Sequence, residues 1–311
     1  MSYRSRIFIG SSSESLQVAN QVKSLLEKNF DVYIWTDGVF KSNESTLQTL
    51  LKSAGLFDFG IMILSKDDFT ESRGEYFETV RDNTLFEFGV FLGRIGEDHA
   101  YALAEDGVKI PSDLFGITIE NYLKEASPDA HNCLSNCVER ISKQMQDVTK
   151  LGFLGMLPST VLAIGYFNNF VKDVAESIAR GKKCMIEGRV VNINRLNIVI
   201  PKDLDADMKR RAEVYYDSHD LREIQFPALH RNRPLFVAAS KGEVEIESFD
   251  LPTTLDGIDK AIDMYLRRGY IGKTNEQQML EERELSNFRR VLDLMILEDG
   301  FAKKYVSIIS E

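Results

Sequence analysis

The chain has 311 residues, 43% hydrophobic and 28% charged, the make-up of an ordinary globular protein with room for two domains. Its formal net charge of -10 excludes broad, sequence-indifferent nucleic-acid binding and leaves open a small anionic ligand gripped by a few arginines. Three cysteines, Cys133, Cys137 and Cys184, form neither a disulfide framework nor a zinc-ligand pattern, so reduced thiols and no metal are expected.

The N-terminus, MSYRSRIFIG, carries charge where a secretory signal would have its apolar run. Arg6–Gly10 reads as a first strand, followed by polar SSSES and an amphipathic helix with Val18, Val22, Leu25 and Leu26 on one face. Val32–Asp37 reads as a second strand. Phe59–Ser65 is a third, continuously apolar as in a strand covered on both faces. A helix within RDNTLFEFGVFLGRIG (Arg81–Gly96) follows, with Asp82 or Asn83 as its cap, and Ala100–Ala104 is a fourth strand. This alternation predicts a parallel sheet whose ligands sit beyond the carboxyl ends of the strands. Three polar loops, Ser11–Ser13, Thr36–Gly38 and Ser65–Asp68, collect there, and the first opens a helix whose amides suit a phosphate or ribose.

Glu87 poses a problem, because Leu85, Phe86, Phe88, Val90, Phe91 and Leu92 surround it in sequence. An unpaired carboxylate in apolar surroundings costs several kcal/mol or takes up a proton. Asn83, Glu87, Phe91 and Arg94 share one helix face, so the alternatives are a Glu87–Arg94 ion pair across two turns and a functional carboxylate.

After Tyr122 the pattern changes. SPDA (Ser127–Ala130) breaks the chain, and a helix from about Asn132 to Thr149 reads as a connector. Leu151–Val171 has no charged residue and is long enough to span a bilayer, but Pro158, Ser159, Thr160, Asn168 and Asn169 favour a buried core or interface helix. Strands at Leu196–Ile200 and Arg222–Phe226 flank a helix around Ala206–Ser218. A basic turn, HRNRP (His230–Pro234), then leads into LFVAAS, VEIESF, the turn DLPTT (Asp250–Thr254) and three helical stretches. An aromatic pair (Tyr166, Phe167), two turn arginines (Arg231, Arg233) and Asp250 ahead of Thr253 and Thr254 suit a planar anionic ligand. Core packing, a solvated turn and helix capping are the ordinary alternatives for the same residues.

IFIGSSSE, FDFGIMILSKDDF, RDNTLFEFGVFLGRIG and KIPSDLFGI, in this order, resemble the TIR-like domains of bacterial anti-phage proteins over roughly residues 4–123. The resemblance implies cleavage of NAD+ between nicotinamide and ribose, with Glu87 in the place of the catalytic glutamate. Nicotinamide leaves without a general acid, and a fixed carboxylate stabilises the oxocarbenium-like ribose left behind. Many TIR enzymes carry a tryptophan four residues before the glutamate. Asn83 stands there, so nicotinamide packing falls to Trp35 or Phe40, although Trp35 reads equally as core. Ser11, Asp82 and Asn83 complete the NAD-binding candidates.

VLAIGYFNNFV, NIVIPKDL, REIQFPALHRNRPLFVA and FDLPTTLDGI resemble the cytosolic domain of the STING family in its bacterial form, over roughly residues 152–311. The resemblance places a base-stacking aromatic at Tyr166 or Phe167, a lid arginine at Arg231 or Arg233 (Arg233 preferred), and ligand contacts at Asp250, Thr253 and Thr254. A carboxylate only accepts hydrogen bonds, and guanine offers it two donors where adenine offers no such pair, so Asp250 favours cyclic di-GMP.

The expected architecture is α/β, a flavodoxin-like parallel-sheet TIR domain (1–126), a helical connector (127–151) and an α+β STING domain (152–311). The resemblance implies a cytoplasmic bacterial NAD+ hydrolase with no cofactor, in which NAD+ is substrate and cyclic di-GMP the activating ligand. It further implies a homodimer assembling into filaments, a cyclic-dinucleotide synthase acting upstream, abortive infection as the outcome, and neither nucleic acid nor membrane as partner. A receptor whose TIR domain is a non-catalytic interaction module, or a regulator that senses without cleaving, are the alternatives.

Overall fold

The computed structural model describes residues 3–37, 54–72, 74–114, 116–124, 129–150, 157–186, 188–238, 245–266 and 273–311. It divides into two compact units, Met1–Gly155 and Met156–Glu311. Phe40, Ser127 and the start of the uncharged segment, 151–156, lie outside the described residues.

In the first unit five parallel strands are ordered β2 (Asp31–Ile34), β1 (Arg6–Gly10), β3 (Phe59–Leu64), β6 (Ala100–Glu105), β7 (Ile119–Tyr122). With the separate hairpin β4 (Asp68–Ser72) and β5 (Glu75–Thr79) set aside, this is the 2-1-3-4-5 order of flavodoxin-like sheets. Alternate residues of β1 serve opposite faces. Ile7 and Ile9 join a core with Ala19, Val22 and Leu26 of α1 (Leu16–Leu26) and Leu134, Val138, Ile141 and Met145 of α3 (Ala130–Lys150). The helix read as a connector is therefore also a core element of this unit. On the other face Phe8 stacks on Phe91 of α2 (Asp82–Ile95), with ring centroids 4.8 Å apart.

β2 stops three residues before the end the sequence predicts. Asp37 Oδ2 accepts from the Ile34 amide at 2.9 Å and pairs with Lys23 Nζ at 2.7 Å, curling Trp35–Asp37 into a 3-10 turn. The hairpin and β7 were not anticipated, since DFTES, EYFET and IENY are short and carry little apolar signal.

The second unit is built on a mixed sheet ordered β10 (Leu221–Pro227), β11 (Asn232–Ala238), β12 (Glu245–Asp250), β9 (Arg189–Ile200), β13 (Val306–Ser310), with β8 (Lys183–Ile186) antiparallel to β9. Its helical layer includes α4 (Pro158–Tyr166), a π turn over Phe167–Val171, α5 (Lys172–Ala179) and the long α8 (Asn275–Glu298), while α6 (Met208–Ser218) and α7 (Asp256–Tyr265) precede α8. Thr274 and Gln277 form a reciprocal capping box at the start of α8. Glu284 of α8 accepts from the Ser159 amide at 3.0 Å, satisfying a donor that a helix start leaves orphaned. Asn287 donates to the hydroxyls of Ser159 (2.9 Å) and Thr160 (2.8 Å), tying α4 to α8 through buried polar groups. Among the described residues no helix is long and apolar enough to cross a membrane.

Candidate functional sites

In the first unit, Glu87 is held by a helix whose inner face is fixed. Phe88 and Phe91 are fully buried, contributing on the order of 2–3 kcal/mol each. Phe91 fits because Gly60 has no Cβ, which would stand 2.7 Å from its ring. One turn before Phe91, Glu87 is half-buried and makes no hydrogen bond or ion pair with the described residues, so the Glu87–Arg94 pairing is not formed. Burial alone raises its carboxyl above the ordinary value. The helix starts at Asp82, with extended Arg81 in the capping position and no side-chain cap. Asp82 and Asn83 are thus exposed first-turn residues rather than caps, and the charge of Asp82 complements the helix dipole.

The strand-end loops converge as the topology requires. The Trp35 indole donates to Ser11 Oγ at 3.3 Å, joining two predicted residues. Trp35 is 38% exposed, which rules out the plain-core alternative. Ser12 donates to Asp67 Oδ2 at 2.5 Å, Ser15 lies 3.4 Å from the same oxygen, and Ser15 bonds Ser65, whose hydroxyl meets Tyr122 at 3.1 Å. An ion pair of 3.8 Å between Glu14 and Arg81 links this loop to the start of the Glu87 helix. A cavity of about 650 Å³ opens beside the cluster, lined by Ser15, Asp67, Glu105, Tyr122 and Lys124 among others; Glu87 does not line it.

In the second unit a π turn over Phe167–Val171 carries Phe170 of the site. It adds a residue to the helical turn, as happens often at functional positions. Tyr166 stacks on Phe170 (centroids 5.4 Å, 29° between planes) and donates to Asp250 Oδ2 at 2.5 Å. Arg233 stands with its guanidinium carbon 5.9 Å from the Phe170 centroid. Asp250 ends β12 and meets no cation among the described residues. Burial, opposed by the Tyr166 hydroxyl, pushes its carboxyl up to about 6. Tyr216 accepts from the Leu251 amide at 2.8 Å and stacks on Phe236, fixing the chain just after Asp250.

Of the predicted ligand residues, Tyr166, Arg233 and Asp250 are drawn into this cluster. Phe167 is buried, at 4% exposure. The arginines separate, which corrects their placement together in a turn. Arg231 is exposed before β11, whereas Arg233 lies within β11 opposite Phe226 and is buried by the strand's alternation. It pairs with Asp173 at 2.7 Å. Thr253 and Thr254 are exposed in a 3-10 turn before α7 and cap neither element. Thr253 lines a separate cavity of about 450 Å³ with Lys209 and Lys260.

Phe170 and Asp173 were missed by the sequence reading. An aromatic four residues after Tyr166 was a legible signal for Phe170, but the π turn that contains it was not. Among the described residues no group of three or more His, Cys, Asp or Glu is placed to hold a metal ion.

Residues 6–124 match the TIR domain of CAP12/Pycsar effector proteins, and residues 158–293 match the prokaryotic STING domain. Together they define a TIR–STING fusion of the bacterial type. A relative from Flavobacterium daejeonense, CD-NTase-associated protein 12, is 50% identical over 99% of each chain. A second of the same name, from Lachnospiraceae bacterium (strain RUG226), is 47% identical over 98% of each. This chain belongs to the CD-NTase-associated protein 12 family. A solved structure described as bacterial STING in complex with c-di-GMP aligns with 50% of this chain and 97% of its own, at 44% identity and a TM-score of 0.47.

Proposed function

We propose that the chain is a cyclic-nucleotide-sensing anti-phage effector whose second unit binds cyclic di-GMP and whose first unit then hydrolyses NAD+ to nicotinamide and ADP-ribose. The observation that carries this reading is that the functional carboxylate expected in each unit, Glu87 and Asp250, is desolvated and meets no cation among the described residues. A structural carboxylate in such a setting is normally ion-paired. Glu87 faces the positive charge that develops on ribose as nicotinamide departs, and its lack of a counter-ion leaves its field undiminished. Asp250 offers about four lone-pair sites, of which Tyr166 uses one, so acceptors remain for both donors of a guanine edge. Phe170 and Tyr166 supply aromatic surface and Arg233 supplies cationic donors for a phosphodiester.

Activation is read as a population shift, with the ligand binding an assembled, filament-forming state better than the resting one. NAD+ depletion in the infected cell would follow. The test is nicotinamide release by the purified full chain against a panel of cyclic dinucleotides. Release that depends on cyclic di-GMP is expected. Binding without release would favour the TIR domain as an interaction module.

A further inference from the structure

Arg233 is buried, yet among the described residues only one of its three guanidinium nitrogens finds a hydrogen-bond partner. Nη2 donates to the Asn169 carbonyl in the π turn and to Asp173 Oδ2 at 2.7 Å. Nε is buried without any hydrogen-bond partner, and Nη1 makes no hydrogen bond to the described residues. Nε is closed to solvent as well as unbonded, so the donor left for an acceptor that arrives from outside is Nη1. The guanidinium adjoins the ring of Phe170, which stacks on the tyrosine bonded to Asp250.

Asp173 is itself only 9% exposed, and its Oδ1 has the exposed His230 imidazole 3.8 Å away. Its carboxylate and the Asn169 carbonyl hold Nη2 alone; Nε is closed off from solvent, and Nη1 stays unbonded to the described residues. A phosphate oxygen therefore need not displace Asp173 to reach Arg233. Fixing a long, rotamer-rich side chain before binding removes an ordering cost from the binding step.

We infer that Asp173 is a positioning residue for ligand recognition: it clamps Nη2 of Arg233 so that the unbonded Nη1 meets a phosphate oxygen of the cyclic dinucleotide. The inference rests on the reading of this cleft as the cyclic di-GMP site.

The test is calorimetric titration of the full chain with cyclic di-GMP, alongside thermal melts. Asp173→Asn is expected to weaken binding about tenfold, as loss of a charge-assisted contact does. Arg233→Ala should weaken it at least as much. The double variant should bind no more weakly than Arg233→Ala alone, because the clamp then has nothing to orient. Asp173→Glu keeps the charge and displaces the clamp. It should bind severalfold more weakly at an unchanged melting temperature, and unchanged affinity there counts against the role. Additive losses overturn the positioning role and leave the cleft assignment standing. So does wild-type or tighter binding by Asp173→Asn when Arg233→Ala has lost affinity. Wild-type affinity in Arg233→Ala overturns the cleft assignment itself, and the inference with it.

Discussion

Replacing Asp250 by Asn should stabilise the protein while impairing its recognition of ligand. The Asp250 carboxyl is pushed from 3.8 up to about 6, chiefly by burial. At about 1.4 kcal/mol per tenfold change in proton affinity, the ionised form costs the folded unit about 3 kcal/mol. The folded state holds the proton more tightly than the unfolded chain. The penalty is therefore absent below about pH 4, grows up to about pH 6, and is complete above that. Asn keeps an acceptor for the Tyr166 hydroxyl and carries no charge. In the variant this pH dependence should vanish, and near pH 8 the second unit should melt roughly 6–12 °C above wild type. Scanning calorimetry of both full chains between pH 4.5 and 8 measures it. The same variant should lose preference for guanine over adenine in titrations with cyclic di-GMP and its guanine–adenine hybrid. In the wild type, affinity should fall as pH drops below about 6, where the carboxylate takes up a proton. A variant that melts below wild type at pH 8, or keeps the wild-type pH dependence, refutes the claim of a desolvated, uncompensated carboxylate.

Glu87→Gln should abolish nicotinamide release with an unchanged circular dichroism spectrum; full activity would reject the catalytic role. Because burial raises the Glu87 carboxyl, the wild-type rate should fail on acidification at a pH above the ordinary carboxylate value of 4.5, and an acid limb at or below that value would contradict the burial argument. Trp35 is the sole tryptophan, and its indole meets Ser11. NAD+ added to the Glu87→Gln chain should quench its fluorescence saturably, and unaltered emission would remove Trp35 from the substrate site. Tyr216→Phe leaves the Leu251 amide without its acceptor and should cost about 1–3 kcal/mol, read as a lower melting temperature of the second unit. An unchanged melt would show that bond to be dispensable.

The parallel architecture of the first unit was legible because RIFIG, FGIMIL and AYALA are apolar runs of strand length separated by helical periodicity, a signal set by local sequence alone. Glu87 stood out for a similar reason, as a charge inside an apolar helix. What local sequence left open were matters of partnership between distant residues. Its lack of a counter-ion, the seating of Phe91 against Gly60, the bond between Trp35 and Ser11, and the convergence of Tyr166 with Asp250 all join residues remote in the chain. The assignment of Arg233 to the buried face of a strand, and of Arg231 to solvent, turned on a register that hairpin pairing sets. The π turn over Phe167–Val171 has no local code, because one inserted residue per turn is held by tertiary packing rather than by propensity. Composition and periodicity thus determined which elements form. Only the folded chain decided which buried charges would meet a partner, because desolvation and pairing depend on neighbours in space.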